Sequence, residues 1–143
     1  MAVVDDLKHM TEQNDFSDLH RAVPYAEFLG LSLARGEERF ITTMHYSDHL
    51  IGNTSIPALH GGTLSALLEM ASLFQLACEM TPEEMPKIVT ITVDYMRSGQ
   101  ARDTYASASA TRIGRRVANL RAHAWQDDPA KPIATANVNF LLA

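Results

Sequence analysis

The sequence predicts an α+β architecture in which one long helix is wrapped by a curved antiparallel sheet, and three observations predict it. Residues 63–80, TLSALLEMASLFQLACEM, are apolar on most sides, and a helix of that kind lies inside something. Four segments with period-two alternation follow it, separated by short turns that favour antiparallel pairing of consecutive strands. One face of those strands is rich in alanine, a poor strand former whose small side chain lets a neighbour come close.

Each element has its own signal. Residues 3–14 read as a surface helix, and residues 11–17 are polar except for Phe16. Pro24 opens a short helix, PYAEFLG, that stops at Gly30. Leu31-Ser32-Leu33 alternates, and Phe40 to Met44 reads as a second strand after a turn at Arg35-Gly36-Glu37. The stretch HLIGNTSIPALHGG is a loop, and Thr81-Pro82 ends the long helix. In the first later strand Val89, Ile91, Val93 and Tyr95 share a face. In the others the inner sets are Ala106, Ala108 and Ala110, then Ala118, Leu120, Ala122 and Ala124, then Ala134, Ala136, Val138 and Phe140. Turns fall at Ser98-Gly99, Gly114-Arg115 and Asp127-Asp128-Pro129.

A chain of 143 residues has room for one domain, residues 1–143, of which 1–23 form an N-terminal helical extension. With 46% apolar and 20% charged residues it fits a soluble globular protein rather than a disordered, collagenous or coiled-coil one. Cys78 is the one cysteine, so no internal disulfide is expected. No apolar run approaches the roughly 18 residues of a membrane span. The start, MAVVDDLKHM, lacks the basic and apolar regions of a signal peptide, and a cytoplasmic location is expected.

The net charge of −5 argues against a nucleic-acid partner. Its distribution is uneven. Residues 1–86 hold 13 acids and 4 bases, whereas residues 87–143 hold 4 acids and 8 bases. Six arginines fall between Arg97 and Arg121, either facing a phosphate-bearing ligand or forming a solvated face.

The candidate chemistry sits at the mouth of the long helix. His60-Gly61-Gly62 precedes it, and glycines there leave free N–H groups where the helix dipole favours negative charge developing on a carbonyl oxygen. Glu69 is a carboxylate in a helix that otherwise seeks burial. Burial would raise its pKa and suit it to act as base or nucleophile. The bland alternative is that Ser65, Glu69, Ser72, Gln75 and Glu79 form a solvated stripe. Gly61 and Glu69 are eight residues apart, about 12 Å along a helix axis. One carbonyl cannot touch both within one chain. A second copy of the helix, antiparallel across a two-fold axis, supplies the missing group, so a shared site predicts a homodimer.

The segment HGGTLSALLEMAS, followed by IVTITVDYMR and by GRR at a hairpin, resembles the hotdog-fold acyl-CoA thioesterases over residues 25–143. The nearest branches are the phenylacetate-pathway (PaaI-type) enzymes and the 4-hydroxybenzoyl-CoA thioesterases. The resemblance implies hydrolysis of an acyl-CoA to acid and CoA without a cofactor, in a dimer or tetramer with sites between subunits. It implies that Glu69 is the catalytic acid and that the Gly61 N–H polarises the thioester carbonyl. His60 is then the orienting motif histidine, and Asn53 stands one position before the family's usual Asn or Gln, where Thr54 is found. Where the Glu-type branch can use a Thr, this chain has Leu73, and Ser72 is the nearest hydroxyl. Gly62, Ser72 and Thr90 are the expected substrate contacts, and Arg97, Arg115 and Arg116 the expected CoA contacts. Two other readings stay open: an acyl-CoA-binding module without turnover, and a hotdog dehydratase or isomerase.

The remaining polar residues carry less. His45 and His49 have the spacing of a helical metal pair, but their segment is strand or loop and no third ligand is in register, so no metal is expected. Met70, Met80, Met85 and Met96 read as core filling or pocket wall.

Overall fold

The structure, a computed structural model, describes residues 2–80 and 82–142. Three helices open the chain: α1 (Ala2–Gln13), α2 (Leu19–Ala22) and α3 (Pro24–Leu29). Pro24 occupies the first turn of α3, and Gly30 closes it in the left-handed conformation at φ 69°. The hairpin β1 (Leu31–Arg35) and β2 (Phe40–Met44) follows, then a 3₁₀ turn at Asp48–Leu50 and a ribbon of β3 (Ile51–Asn53) and β4 (Ala58–Leu59). The long helix α4 spans Gly61–Met80. Of its expected end at Thr81-Pro82, Thr81 lies outside the described residues. The strands β5 (Lys87–Tyr95), β6 (Thr104–Ile113), β7 (Val117–Trp125) and β8 (Ala134–Leu141) complete the chain. No helix among the described residues is long and apolar enough to cross a membrane.

The main sheet has the order β1-β2-β6-β7-β8-β5, and every pair in it is antiparallel. Together with α4 it forms the hotdog arrangement. Consecutive pairing holds for β6–β7 and β7–β8 but fails for β5. That strand pairs with β8 and stands at the edge, while β6 pairs with β2. The cause is the connection 96–103, which is anchored rather than turned. Leu59 donates its N–H to the Gly99 carbonyl at 2.9 Å and Ala58 bridges to Gln100. The chain is thereby carried across the mouth of α4 before β6 begins.

The alanine face is the core face. Ala106, Ala108, Ala118, Ala122, Ala124, Ala134 and Ala136 are buried against α4, which presents Leu64, Leu67, Leu68 and Ala71. Each fully buried leucine contributes about 1.5–3 kcal/mol, and the small opposing side chains let the helix seat close to the sheet. The shared face of β5 departs from expectation at one residue. The register slips between Ile88 and Thr90, so Ile88 stands opposite buried Phe140 while Val89 sits in a bulge and is exposed.

The expected surface helix is half interior. Leu7 and Met10 of α1 join Phe16, Phe40, Phe74, Ala77 and Cys78 in a second apolar cluster over the C-terminal half of α4. Phe16 meets Phe40 edge to face at 5.6 Å.

Candidate active site

The first N–H groups of a helix have no partner within it. At α4 three of them are taken: His60 N–H goes to the Leu50 carbonyl at 2.8 Å, Gly62 N–H to His60 Nδ1 at 2.8 Å and Thr63 N–H to the His60 carbonyl at 2.9 Å. The His60 imidazole is thus a side-chain cap, with Nδ1 accepting and the proton of the neutral ring on Nε2. The Gly61 N–H makes no hydrogen bond among the described residues. It stands at the positive end of a 20-residue helix.

Gly61 lines a surface cavity of about 320 Å³ together with Leu59, Leu64, Tyr95, Met96, Arg97 and Gly99. The Tyr95 hydroxyl donates to the Gly61 carbonyl at 3.0 Å. The cavity is therefore lined by a glycine whose N–H is unspent, by apolar side chains and by an arginine. That combination suits a polarised carbonyl attached to an anionic group.

Glu69 lies two turns further along α4, half-buried, and makes no hydrogen bond or ion pair among the described residues. Desolvation pushes its carboxyl above the usual value of 4.5. The solvated-stripe reading fails beyond it. Ser72 is fully buried and donates to the Leu68 carbonyl, and Gln75 is buried and accepts the Phe40 N–H at 2.9 Å. Of the five polar positions, Ser65 and Glu69 border the open side of the helix near its mouth, and Glu79 is exposed at its far end.

Other expected site residues fall elsewhere. Asn53 spends its side-chain oxygen on the Ser55 N–H at 3.0 Å, a local turn, and does not line the cavity. Ser72 is committed inside the core as described. Thr90 lies on the outer face of the sheet, where its hydroxyl accepts from Asn139 at 2.6 Å, because the bulge at Val89 sets it opposite Asn139. Gly62 spends its N–H on His60. Arg97 is at the cavity, but Arg115 and Arg116 form the β6–β7 turn at the other end of the sheet. The two ends are separated by the length of β5, Lys87–Tyr95, roughly 27 Å at about 3.4 Å per residue. His45 bonds Ser32 and approaches Asp103, and His49 bonds Ser47 and the Phe28 carbonyl. No group of three potential metal ligands occurs among the described residues.

Sequence reasoning passed over two residues of the mouth, Tyr95 and Gly52. A Cβ on Gly52 would lie 2.6 Å from His60 Cα, so only glycine lets that strand pass. The signal for Tyr95 was its place at the end of VDYMR, and for Gly52 its place in the loop before HGG.

A family model described as the acyl-CoA thioesterase N-terminal domain matches residues 52–141. The medium/long-chain acyl-CoA thioesterase YigI of Salmonella typhimurium is 28% identical over 134 residues, covering 84% of this chain and 86% of that protein. Among solved structures, a protein from Chromobacterium violaceum superposes with a TM-score of 0.80 at 31% identity, covering 97% of each chain. The PaaI protein of the Escherichia coli phenylacetic acid degradation operon superposes with a TM-score of 0.76 at 21% identity over 96% of each chain, a likeness of fold.

Proposed function

The chain belongs to the acyl-CoA thioesterase family and is a thioester hydrolase, and on that premise we propose how its residues divide the work. The Gly61 N–H binds the thioester carbonyl oxygen and stabilises the charge that develops there. Glu69 of the partner subunit supplies the carboxylate, either taking a proton from the attacking water or attacking the carbonyl carbon itself. By the first route the C–S bond breaks as Glu69 passes that proton to the leaving thiolate, giving the acid and free CoA. By the second the thiolate is expelled as an acyl–Glu69 anhydride forms, and water then hydrolyses the anhydride, releasing the acid, restoring Glu69 and supplying the thiolate's proton. The observation that carries this reading is that, among the described residues, Gly61 alone of the donors His60, Gly61, Gly62 and Thr63 has its N–H unspent.

Support for a second copy comes from β5. Its outer edge is unpaired, and Ile91 and Val93 on the α4 side are incompletely covered, as a lone edge strand should not be. Antiparallel pairing of two β5 edges sets two α4 helices antiparallel. A two-fold axis near Ser65 then brings each Glu69 to the other chain's Gly61. The same operation turns the partner's Arg115 and Arg116 toward this chain's Arg97, so a CoA spanning both chains meets three arginines that one chain keeps apart. The Salmonella relative's name specifies medium- and long-chain acyl-CoA, and we take that class as the first substrates here.

The test is complementation between two inactive variants. Glu69→Gln removes the carboxylate. Gly61→Pro removes the N–H at a first-turn position where proline is tolerated. Refolding the two together produces mixed dimers in which one site has both intact groups. Recovery of CoA release on mixing, with neither variant active alone, is the expected result. No recovery, with mixed dimers shown by mass spectrometry, overturns the shared site.

A further inference from the structure

The mouth of α4 is held from two sides by residues whose own chemistry the reaction does not use. From β5, the Tyr95 hydroxyl donates to the Gly61 carbonyl at 3.0 Å, and its ring carbon lies 3.3 Å from where a Gly61 Cβ would stand. From β3, Gly52 presents bare backbone to His60, with room for no side chain: a Cβ would meet His60 Cα at 2.6 Å and its Cβ at 2.8 Å. His60 in turn accepts from the Gly62 N–H at 2.8 Å.

These contacts converge on one rigid object. The Gly61 carbonyl and the Gly62 N–H belong to the same planar peptide. Tyr95 holds its oxygen end and His60 its nitrogen end. The preceding residue is fixed too, since His60 N–H is bonded to the Leu50 carbonyl. Between two fixed points, Gly61 keeps little of the freedom a glycine otherwise has. Its open N–H is thereby held in one orientation at the cavity, which is what an oxyanion donor requires.

We infer that Tyr95 and Gly52 are positioning residues that clamp the Gly61-Gly62 peptide from β5 and β3 and so aim the unspent N–H. The inference rests on the reading of Gly61 as the carbonyl donor. Neither residue is a proton donor or acceptor in the reaction: Tyr95 acts through the Gly61 carbonyl it bonds, and Gly52 through His60, whose ring accepts the Gly62 N–H.

The experiment uses the full chain with medium- and long-chain acyl-CoA and reads CoA release, unfolding midpoint and backbone amide shifts. Tyr95→Phe keeps the ring and removes the bond. It is expected to lower kcat about tenfold while KM changes by less than about twofold, the sign of a misaimed donor rather than lost binding. Gly52→Ala displaces His60 and is expected to cost more. Should that variant not fold, Tyr95→Phe decides alone. The amide signals of Gly61 and Gly62 report the clamp without turnover, and both are expected to move in Tyr95→Phe more than those of the rest of α4. Unchanged kcat in Tyr95→Phe, a rise in KM alone, or unmoved Gly61 and Gly62 signals each overturns the inference. Full activity in Glu69→Gln, by contrast, overturns the assignment of the reaction while the amide shifts still judge the clamp.

Discussion

The two halves of α4 are built from the same kinds of residue and treat their polar groups in opposite ways. In the C-terminal half every polar group in the core has a partner. Ser72 donates to the Leu68 carbonyl at 2.8 Å, Gln75 accepts the Phe40 N–H at 2.9 Å, and Cys78 accepts from Thr11 at 3.1 Å. In the N-terminal half the Gly61 N–H and the Glu69 carboxylate have none among the described residues. The difference lies in the cover. The α1 helix with Phe16 and Phe40 seals the C-terminal half, whereas the N-terminal half borders the open edge of β5. Polar groups in a greasy helix stabilise the fold where they are satisfied. Where they are not, they are available to another molecule.

The largest effect separating the halves is expected from Glu69→Gln. Loss of a general base or nucleophile lowers thioester hydrolysis about 10²–10⁴-fold. The unfolding midpoint is expected to stay level or rise slightly, because a half-buried charge has been removed. Steady-state CoA release and a thermal melt on the same sample check both. Activity within twofold of wild type would erase the distinction between the halves.

The mirror experiment is Gln75→Leu. Phe40 lies at the end of β2 opposite Arg35, and its N–H points to Gln75 rather than into the ladder. A leucine of similar size leaves that buried donor unmet, at a cost of about 1–3 kcal/mol. Urea unfolding is expected to show that loss, while kcat per folded molecule is unchanged. A large fall in kcat would mean that the sealed half also serves the reaction.

This contrast was only partly legible in the sequence. The helix, the alanine face and the suspicion attached to Glu69 follow from periodicity and from the cost of burying a carboxylate, both local properties of the chain. The edge position of β5 did not follow, since it depends on Leu59 holding Gly99, a contact across 40 residues. The bulge at Val89 was hidden because Val-Thr-Ile continues a strand pattern on either side of it. The partners of Thr90 and Asn53 were hidden for a related reason. A hydroxyl or amide near a motif says nothing of which neighbour claims it, and here Asn139 and the Ser55 N–H do. Ser72 bonded backward to its own helix, as serines inside helices do.

The smallest effect concerns pH, and its sign is what makes it useful. Burial raises the Glu69 pKa, so the folded chain keeps this proton at pH values where the unfolded chain has released it. With more protons bound in the folded state, stability falls as pH rises through the window between the ordinary value of 4.5 and the raised one. Below that window the contribution is fully present. Above it, it is gone. In the role proposed for Glu69, activity is expected to move the other way, because a carboxyl acts as base or nucleophile only when ionised. The difference between wild-type and Glu69→Gln unfolding free energies across this range cancels the other titrating groups and is expected to slope downward with pH. The acid limb of kcat/KM is expected to climb over the same interval. Gln75→Leu leaves both curves in place. A group that weakens the fold over the same pH interval in which it switches on the reaction is held for its chemistry. Parallel slopes, or a flat difference curve, would return Glu69 to the solvated face of an ordinary helix.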